Sequence, residues 1–362
     1  AASYLKLLTR EVEWHTAVLG MGQGVKQLHL GGGTPTFFND AELGDLMQML
    51  RRHFKFLPGG DYTIEIDPRT VNAARLDALV ALGFNRLSMG VQDLDAAVQK
   101  AVHRIQPAQH VAQLFHDARQ RDFDSINVDL MHGLPHQSPA SFKRTLAEVM
   151  AWRPDRIALY SYAHQPAHFK PQRHIATDAL PSDAARQAIH SNAIAALLSA
   201  GYVFVGMDHF ALPTDALAIA KRQGRLHRNL QGFSPQPDSD LIGLGLSARG
   251  RIGVCYSQNA KTLGAYSDRL NQGLFPVVSG IALTRDDLIR RAIIMALVCQ
   301  GEVSFEAVEL GYLIDFRHYF AAELALLAPF VRQGWVVVDE AGIQVTEAGL
   351  YGVRAVAMVF DR

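Results

Sequence analysis

The sequence predicts an α/β fold: a parallel, barrel-like sheet covered by helices over residues 1–279, then a small helical domain carrying a β-hairpin over 280–362. Two observations predict the larger part. Over the first two hundred residues, short apolar or β-branched runs alternate with stretches of helical periodicity. That alternation belongs to repeated strand–helix–strand units and hence to a parallel sheet. Each run also ends in a polar cluster, as strands do when their C-terminal ends form the rim of a barrel site.

The chain opens in an amphipathic helix, and the strand-like runs come at 26–30, 62–66, 86–91, 125–131, 156–162 and 202–207. Between the first two runs, Leu43, Leu46, Met47, Leu50 and Phe54 recur at helical spacing, which places them on one face. Leu76, Leu79 and Val80 do the same, as do Val111, Leu114, Phe115 and Ala118. Ser138 before Pro139 is a hydroxyl cap before a proline at the first helical position. Ser182 starts another helix that stops at Gly201, and Gly83 stops an earlier one, each placed for a left-handed C-terminal residue. Residues 212–275 are less regular and rich in Gly, Gln, Asn and Arg. Near 280 a second domain begins, with Thr284 and Asp287 spaced as a capping box ahead of Leu288, Ala292, Ile293, Ala296 and Leu297. Trp335, Val336, Val337 and Val338, then Ile343, Gln344 and Val345, flank a turn at 339–342 and read as a hairpin.

Composition bounds the function. The chain has 362 residues, 49% apolar and 19% charged, with a net charge of zero. A neutral balance gives no basic surface for nucleic acid, and no apolar stretch is long enough to span a membrane. The expectation is a cytoplasmic protein without nucleic-acid or membrane partners. Only Cys255 and Cys299 occur, far apart, which excludes a CxxC zinc site, a disulfide scaffold and a cysteine-bound iron–sulfur cluster built from these residues.

The candidate site residues lie at the strand ends. Gly31, Gly32, Gly33 and Thr34 come directly after the first strand, and without side chains the backbone can approach a ligand closely. A glycine run alone is equally a tight turn; its place on a barrel rim, with Pro35 and Thr36 after it, favours binding. Glu65 suits a ribose diol, because a carboxylate accepts two hydrogen bonds at once. Arg104 suits a ligand carboxylate through bidentate pairing, and Gln92 and Asp129 complete a polar lining. For each alone, a structural ion pair is the competing explanation. Two further patterns are weak. The run from Gly243 to Ala248 matches a dinucleotide fingerprint, but the stretch from Arg249 to Gly253 behind it is poor helix material. His164 and His168 have the spacing of helical metal ligands, but Pro166 lies between them.

The segments 31–37 (GGGTPTF), 64–68 (IEIDP), 83–93 (GFNRLSMGVQD), 206–211 (GMDHFA), 227–232 (HRNLQG) and 280–291 (GIALTRDDLIRR) closely resemble the oxygen-independent coproporphyrinogen III oxidase family of radical S-adenosylmethionine (SAM) enzymes. The first three are shared in looser form with other radical SAM enzymes, and the last three are far more specific. The likeness runs from about residue 3 to the C-terminus. It implies an incomplete, three-quarter TIM-like radical SAM barrel. It also implies oxidative decarboxylation of coproporphyrinogen III to protoporphyrinogen IX by a SAM-derived 5′-deoxyadenosyl radical, in heme biosynthesis. The implied cofactors are two SAM molecules and a [4Fe–4S] cluster, and the implied electron donor is a flavodoxin or ferredoxin to a monomeric enzyme.

By the same resemblance, Gly32 and Glu65 contact the SAM on the cluster. Gly33, Thr34, Gln92, Arg104, Asp129 and Ala163 line the second SAM, and a further contact falls on Arg249, where the family is apolar. Leu30 stands in place of a bulkier aromatic and His132 in place of a tyrosine. In the family the first barrel strand and a CxxxCxxC loop precede the helix that opens this chain. The 362 residues by themselves are therefore expected to be inactive and weakly stable. Two other readings remain at this point: a cluster-less heme- or porphyrin-binding relative, and a metal-dependent hydrolase using the rim histidines.

Overall fold

The computed structural model describes residues 2–121 and 123–362. The elements in chain order are α1 (Ala2–Leu19), β1 (Gln23–Leu30), α2 (Asp40–His53), β2 (Phe54–Ile66), α3 (Ala73–Ala81), β3 (Arg86–Gln92), α4 (Ala96–Ala101), α5 (Ala108–Arg119), β4 (Ser125–His132), α6 (Pro139–Trp152) and β5 (Arg156–Ser161). Then come α7 (Asp183–Ser199), β6 (Val203–Gly206), β7 (His209–Ala211), α8 (Ala216–Arg222), β8 (His227–Asn229), β9 (Gly232–Ser234), β10 (Arg249–Ile252) and β11 (Cys255–Asn259). The chain continues through α9 (Leu263–Asn271), β12 (Val277–Ala282), α10 (Arg285–Gln300), β13 (Glu302–Ser304), α11 (Phe305–Tyr312), further short helices, β14 (Val336–Val338) and β15 (Gly342–Val345). No described helix is long and apolar enough to cross a membrane.

Two compact units form. The first comprises Gly22–Phe204 and Asp208–Ala218 with the extreme N-terminus; the second comprises Ser3–Met21, Val205–Met207 and Ile219–Arg362. The sequence pattern changes near 280, but compactness groups the opening helix and the stretch after 219 with the C-terminal part.

The first unit is built on an open, curled sheet of order β1-β2-β3-β4-β5-β7-β6. β1 to β5 pair in parallel and β7 is antiparallel to β5. Successive side chains on a strand face opposite ways, so each strand presents two sets of residues. One set is apolar and buried: Ile64 and Ile66, Leu87, Met89 and Val91, Ile126, Val128 and Leu130, Ile157 and Leu159. This is the face that helices cover, and the buried sides of α2, α3, α5 and α6 carry the periodic leucines, valines and phenylalanines read from the sequence, except that Val80 of α3 is exposed and Phe54, though buried, begins β2 instead of extending α2. The other set is polar and only partly buried: Thr63 and Glu65, Ser88 and Gln92, Asn127 and Asp129. A sheet with this polarity keeps its chemistry on the face away from the helices.

The helix boundaries obey their caps. Ser138 accepts from Ser141 N–H at the start of α6 with Pro139 at the first position, and Thr284 and Asp287 form the capping box of α10. Gly83 and Gly201 end α3 and α7 at φ +90° and +86°, where a side chain would be strained. Asn39 and Glu42 close a further capping box on α2, a signal that the periodicity alone does not disclose.

In the second unit the irregular stretch resolves into an antiparallel sheet β10-β11-β12 and the two-stranded β8-β9. The expected hairpin forms between β14 and β15, with Val336 opposite Val345, and gains β13 on the far side of β15. Ile289, Ile293 and Leu297 of α10 share one core with Phe305, Phe316, Phe320, Ile343 and Phe360. Helix α1 is pinned by Glu11, which is fully buried. It accepts from Tyr266 Oη at 2.6 Å, Asn259 Nδ2 at 2.6 Å and Gly245 N–H at 2.7 Å.

Candidate active site

The polar face of the first unit converges at the C-terminal ends of β1 to β4. His29 on β1 and Glu65 on β2 meet side by side, with Nε2 2.9 Å from Oε1. The other oxygen of Glu65 accepts from the N–H of Gly32 at 3.3 Å, which ties the glycine turn to the second strand. Gly32 has φ +95° and open space where a Cβ would stand, and Gly33 is equally open. Gly31 differs: a Cβ there would collide with the His29 ring and the Glu65 carboxylate. The three glycines thus serve three ends, namely clearance, a left-handed turn and an uncovered backbone.

Asp129 on β4 is the second carboxylate. Asn127 Nδ2 donates to its Oδ1 at 2.8 Å and Ser88 Oγ to its Oδ2 at 3.2 Å. Burial, augmented by the nearby Glu65 charge, pushes its pKa up from 3.8 to about 6 against those two hydrogen bonds. Across β3, a register shift between Gly90 and Gln92 coincides with a left-handed backbone at Gln92, φ 65°. Arg104, in the loop after α4, reaches back to donate from Nη2 to the Gly90 carbonyl at 2.7 Å, and its Nη1 lies 3.4 Å from Asp67. Both Arg104 and Gln92 crowd the space above Gly90, where a Cβ would stand 3.1 and 3.3 Å from their nitrogens. Burial lowers the pKa of Arg104 against the fields of Asp67 and Asp129.

The site is polar beyond its internal needs. Gln92 Oε1 and Arg104 Nε are buried and have no hydrogen-bond partner. An unpaired buried donor or acceptor costs roughly 1–3 kcal/mol, so two in one place suit a site completed by a polar ligand. A zwitterionic amino acid joined to a nucleoside offers the groups required: a carboxylate for Arg104, a donor for the Gln92 amide oxygen, a diol for a glutamate, and a cationic centre for Asp129.

Of the residues expected from the sequence, Gly32, Glu65, Gln92, Arg104 and Asp129 are linked directly or through one neighbour. Gly33 and Thr34 continue the same turn. Ala163 comes after β5, and its carbonyl accepts from Gln172 Nε2 at 3.0 Å. Arg249 belongs to the second unit, on β10. There it lines a cavity of about 310 Å³ with Leu230, Tyr256, Gln258, Ser279 and Ile281. The stretch after Gly243 enters a strand, so no helix N-terminus is available for a dinucleotide, and His164 pairs instead with Tyr162 Oη at 3.1 Å. His29, Ser88, Asn127 and Asp67 were missed, although polar residues two apart on β3 and β4 were a visible signal. A cluster is not served by these residues: Cys255 is exposed on β11, Cys299 is buried on α10, and no third thiol exists.

The chain as a whole is similar to known proteins. Residues 7–149 match the family described as the Radical SAM superfamily, and residues 283–351 match the HemN C-terminal domain. The chain is 46% identical over 361 residues to an oxygen-independent coproporphyrinogen III oxidase of Escherichia coli (strain K12), covering 100% of this chain and 79% of that protein. It is 44% identical over 364 residues to the protein of that description from Pseudomonas aeruginosa, with the same coverage. The solved structure of coproporphyrinogen III oxidase from Escherichia coli, described as a radical SAM enzyme, superposes with a TM-score of 0.96. That match has 46% identity and covers 99% of this chain and 83% of the other.

Proposed function

The chain belongs to the oxygen-independent coproporphyrinogen III oxidase family of radical SAM enzymes, and on that premise we propose that its polar sheet face is the SAM-binding half of the active site. The family reaction is the oxidative decarboxylation of coproporphyrinogen III to protoporphyrinogen IX in heme biosynthesis. Its cofactors are SAM and a [4Fe–4S] cluster, and bound SAM supplies the 5′-deoxyadenosyl radical that starts the reaction.

Gly32 and Glu65 hold one SAM, with the Glu65 carboxylate on a ribose diol. Gly33, Thr34, Gln92, Arg104, Asp129 and Ala163 hold the second. In this arrangement Arg104 pairs with the amino-acid carboxylate, Gln92 accepts from the ligand through its free Oε1, and ionised Asp129 faces positive charge. The further contact expected at Arg249 rests on the resemblance alone. The observation that carries the reading is the pair of unpartnered buried atoms, Gln92 Oε1 and Arg104 Nε, on the same face as the Glu65–Gly32 link. The C-terminal family matched over 283–351 supports 280–362 as the C-terminal helical domain, and 1–279 as the barrel rests on the resemblance. A small one-electron donor of flavodoxin or ferredoxin type, a monomeric state and a cytoplasmic location complete the proposal.

Calorimetric titration of SAM tests it. Arg104→Ala removes a charge-assisted pair and lowers affinity at least about ten-fold. Unchanged binding would remove Arg104 from the site.

A further inference from the structure

At the C-terminal ends of β4 and β5, on the side of the strands that α7 covers and one peptide from Ala163, lies a second polar group that the SAM assignment does not use. His132, the last residue of β4, is only 7% exposed, and its Nδ1 has no hydrogen-bond partner. Its ring stacks on that of His190 from α7, with centroids 4.8 Å apart and planes 22° from parallel. Arg186 stands one helical turn before His190, on the same face of α7. Its guanidinium is held over the strand ends by neutral acceptors: Nη2 donates to the Tyr162 carbonyl at 3.2 Å and to Ser161 Oγ at 3.4 Å. Gly133, at φ +88°, leaves the room it needs, because a Cβ there would come within 3.2 Å of Arg186 Nε. Among the described residues the carboxylate in ion-pair range is that of Asp183, exposed and 3.9 Å away.

Other guanidinium groups of this unit have close carboxylate partners, among them Arg86 with Asp61 at 2.6 Å and Arg156 with Asp215 at 2.9 Å. Arg186 has its fork anchored by neutral acceptors, and its ion-pair partner Asp183 is exposed and at the limit of range. Burial, the second imidazole and the positive field of Arg186 make protonation of His132 unfavourable, which leaves a neutral ring able to offer Nδ1–H as a donor. Together they fit a carboxylate: a planar cation in fixed orientation with a buried neutral donor beside it. The location selects the ligand. Tyr162, whose carbonyl holds Arg186, directly precedes Ala163, and its N–H donates to the His132 carbonyl at 2.8 Å. The coproporphyrinogen substrate carries four propionates, and those not undergoing decarboxylation need partners too.

We propose that Arg186 and His132 form a recognition site for a propionate carboxylate of the porphyrinogen substrate. This rests on the assignment of the neighbouring face as the SAM site. The test uses coproporphyrin III, the stable fluorescent tetra-acid, and its tetramethyl ester as probes, titrated into the full chain, with SAM binding measured in parallel. Arg186→Met should weaken tetra-acid binding at least ten-fold while ester and SAM binding stay within two-fold, and Arg186→Lys should recover part of the loss. Equal tetra-acid binding by wild type and Arg186→Met overturns the proposal, as does a parallel loss of ester binding, which would mark a structural role. Absence of SAM binding by the wild type, with the tetra-acid effect intact, instead removes the assignment of the neighbouring face.

Discussion

His29 Nε2 lies 2.9 Å from Glu65 Oε1, and the second oxygen of Glu65 is tied to the Gly32 N–H. The carboxylate proposed to accept from a ribose is thus held from two directions before any ligand arrives. His29 does not need to touch the ligand to matter, since it removes rotamer freedom that binding would otherwise have to remove. Immobilising one such side chain costs about 0.5–1.5 kcal/mol, equivalent to about two- to ten-fold in affinity. His29→Phe, which keeps the ring but not the nitrogen, should weaken SAM by that factor in calorimetry. Affinity equal to wild type would show that Gly32 alone fixes Glu65.

Asp129 links the site to pH. Its pKa rises from 3.8 to about 6 on folding, chiefly through burial. Between those values the native state keeps a proton that the unfolded chain has already lost. This contribution to stability is therefore fully present below about pH 4, declines as pH rises, and is lost above about pH 6, a difference of about 3 kcal/mol. Asp129→Asn should accordingly be more stable than wild type at pH 7.5, with the gap closing by about pH 4 in denaturant titrations. The same variant should bind SAM at least about ten-fold more weakly, because the ionised carboxylate is the group proposed to meet the cationic ligand. A variant less stable than wild type at pH 7.5 would show that the Asn127 and Ser88 hydrogen bonds outweigh the burial.

What the sequence revealed of this site was its rim. Glycines, Glu65, Gln92 and Asp129 stand at the ends of apolar runs, and a strand end is where polar residues are conspicuous. His29, Ser88 and Asn127 sit inside the runs, where a mostly apolar stretch hides its alternation. Reading β3 and β4 at period two, rather than as apolar blocks, separates Ser88, Gly90 and Gln92 from Leu87, Met89 and Val91. The capped helices were legible because Ser138 with Pro139 and Thr284 with Asp287 act locally. The β10-β11-β12 sheet was not, since its strands are short and carry Arg249, Arg251, Ser257 and Gln258 in place of a periodic apolar pattern. The grouping of α1 with the second unit depends on Glu11 meeting residues more than two hundred positions away, and no local signal encodes that.

Gly33 separates clearance from conformation. Gly32→Ala would be strained by its positive φ, and Gly31→Ala would displace His29 and Glu65. At Gly33 a Cβ meets nothing within 4 Å, and the backbone is not left-handed. Gly33→Ala should then leave stability within about 0.5 kcal/mol in thermal or denaturant unfolding. If ligand lies against this backbone, the added methyl should still cost SAM binding ten-fold or more. Binding unchanged by Gly33→Ala would place the ligand elsewhere on the face.

Glu11 carries the opposite expectation, a large effect on folding and none on chemistry. It is fully buried and satisfies three donors at once: Tyr266 Oη, Asn259 Nδ2 and the Gly245 N–H. Burial raises its pKa and that of Tyr266 as well, and the Tyr266 hydroxyl keeps its proton and donates a hydrogen bond to the carboxylate. Glu11→Ala leaves three donors facing a void. At roughly 1–3 kcal/mol for each unsatisfied buried group, the loss should reach about 3 kcal/mol or more, even if one donor finds another acceptor. Glu11→Gln keeps one acceptor but turns an amide N–H₂ toward donors, and should fall between the two. The measurement is denaturant unfolding monitored by the fluorescence of Trp14, which lies three residues along α1 and packs edge-on against Phe275. A loss below about 1 kcal/mol for Glu11→Ala would mean that Leu8, Val12 and the rest of the apolar stripe hold α1 without its buried carboxylate.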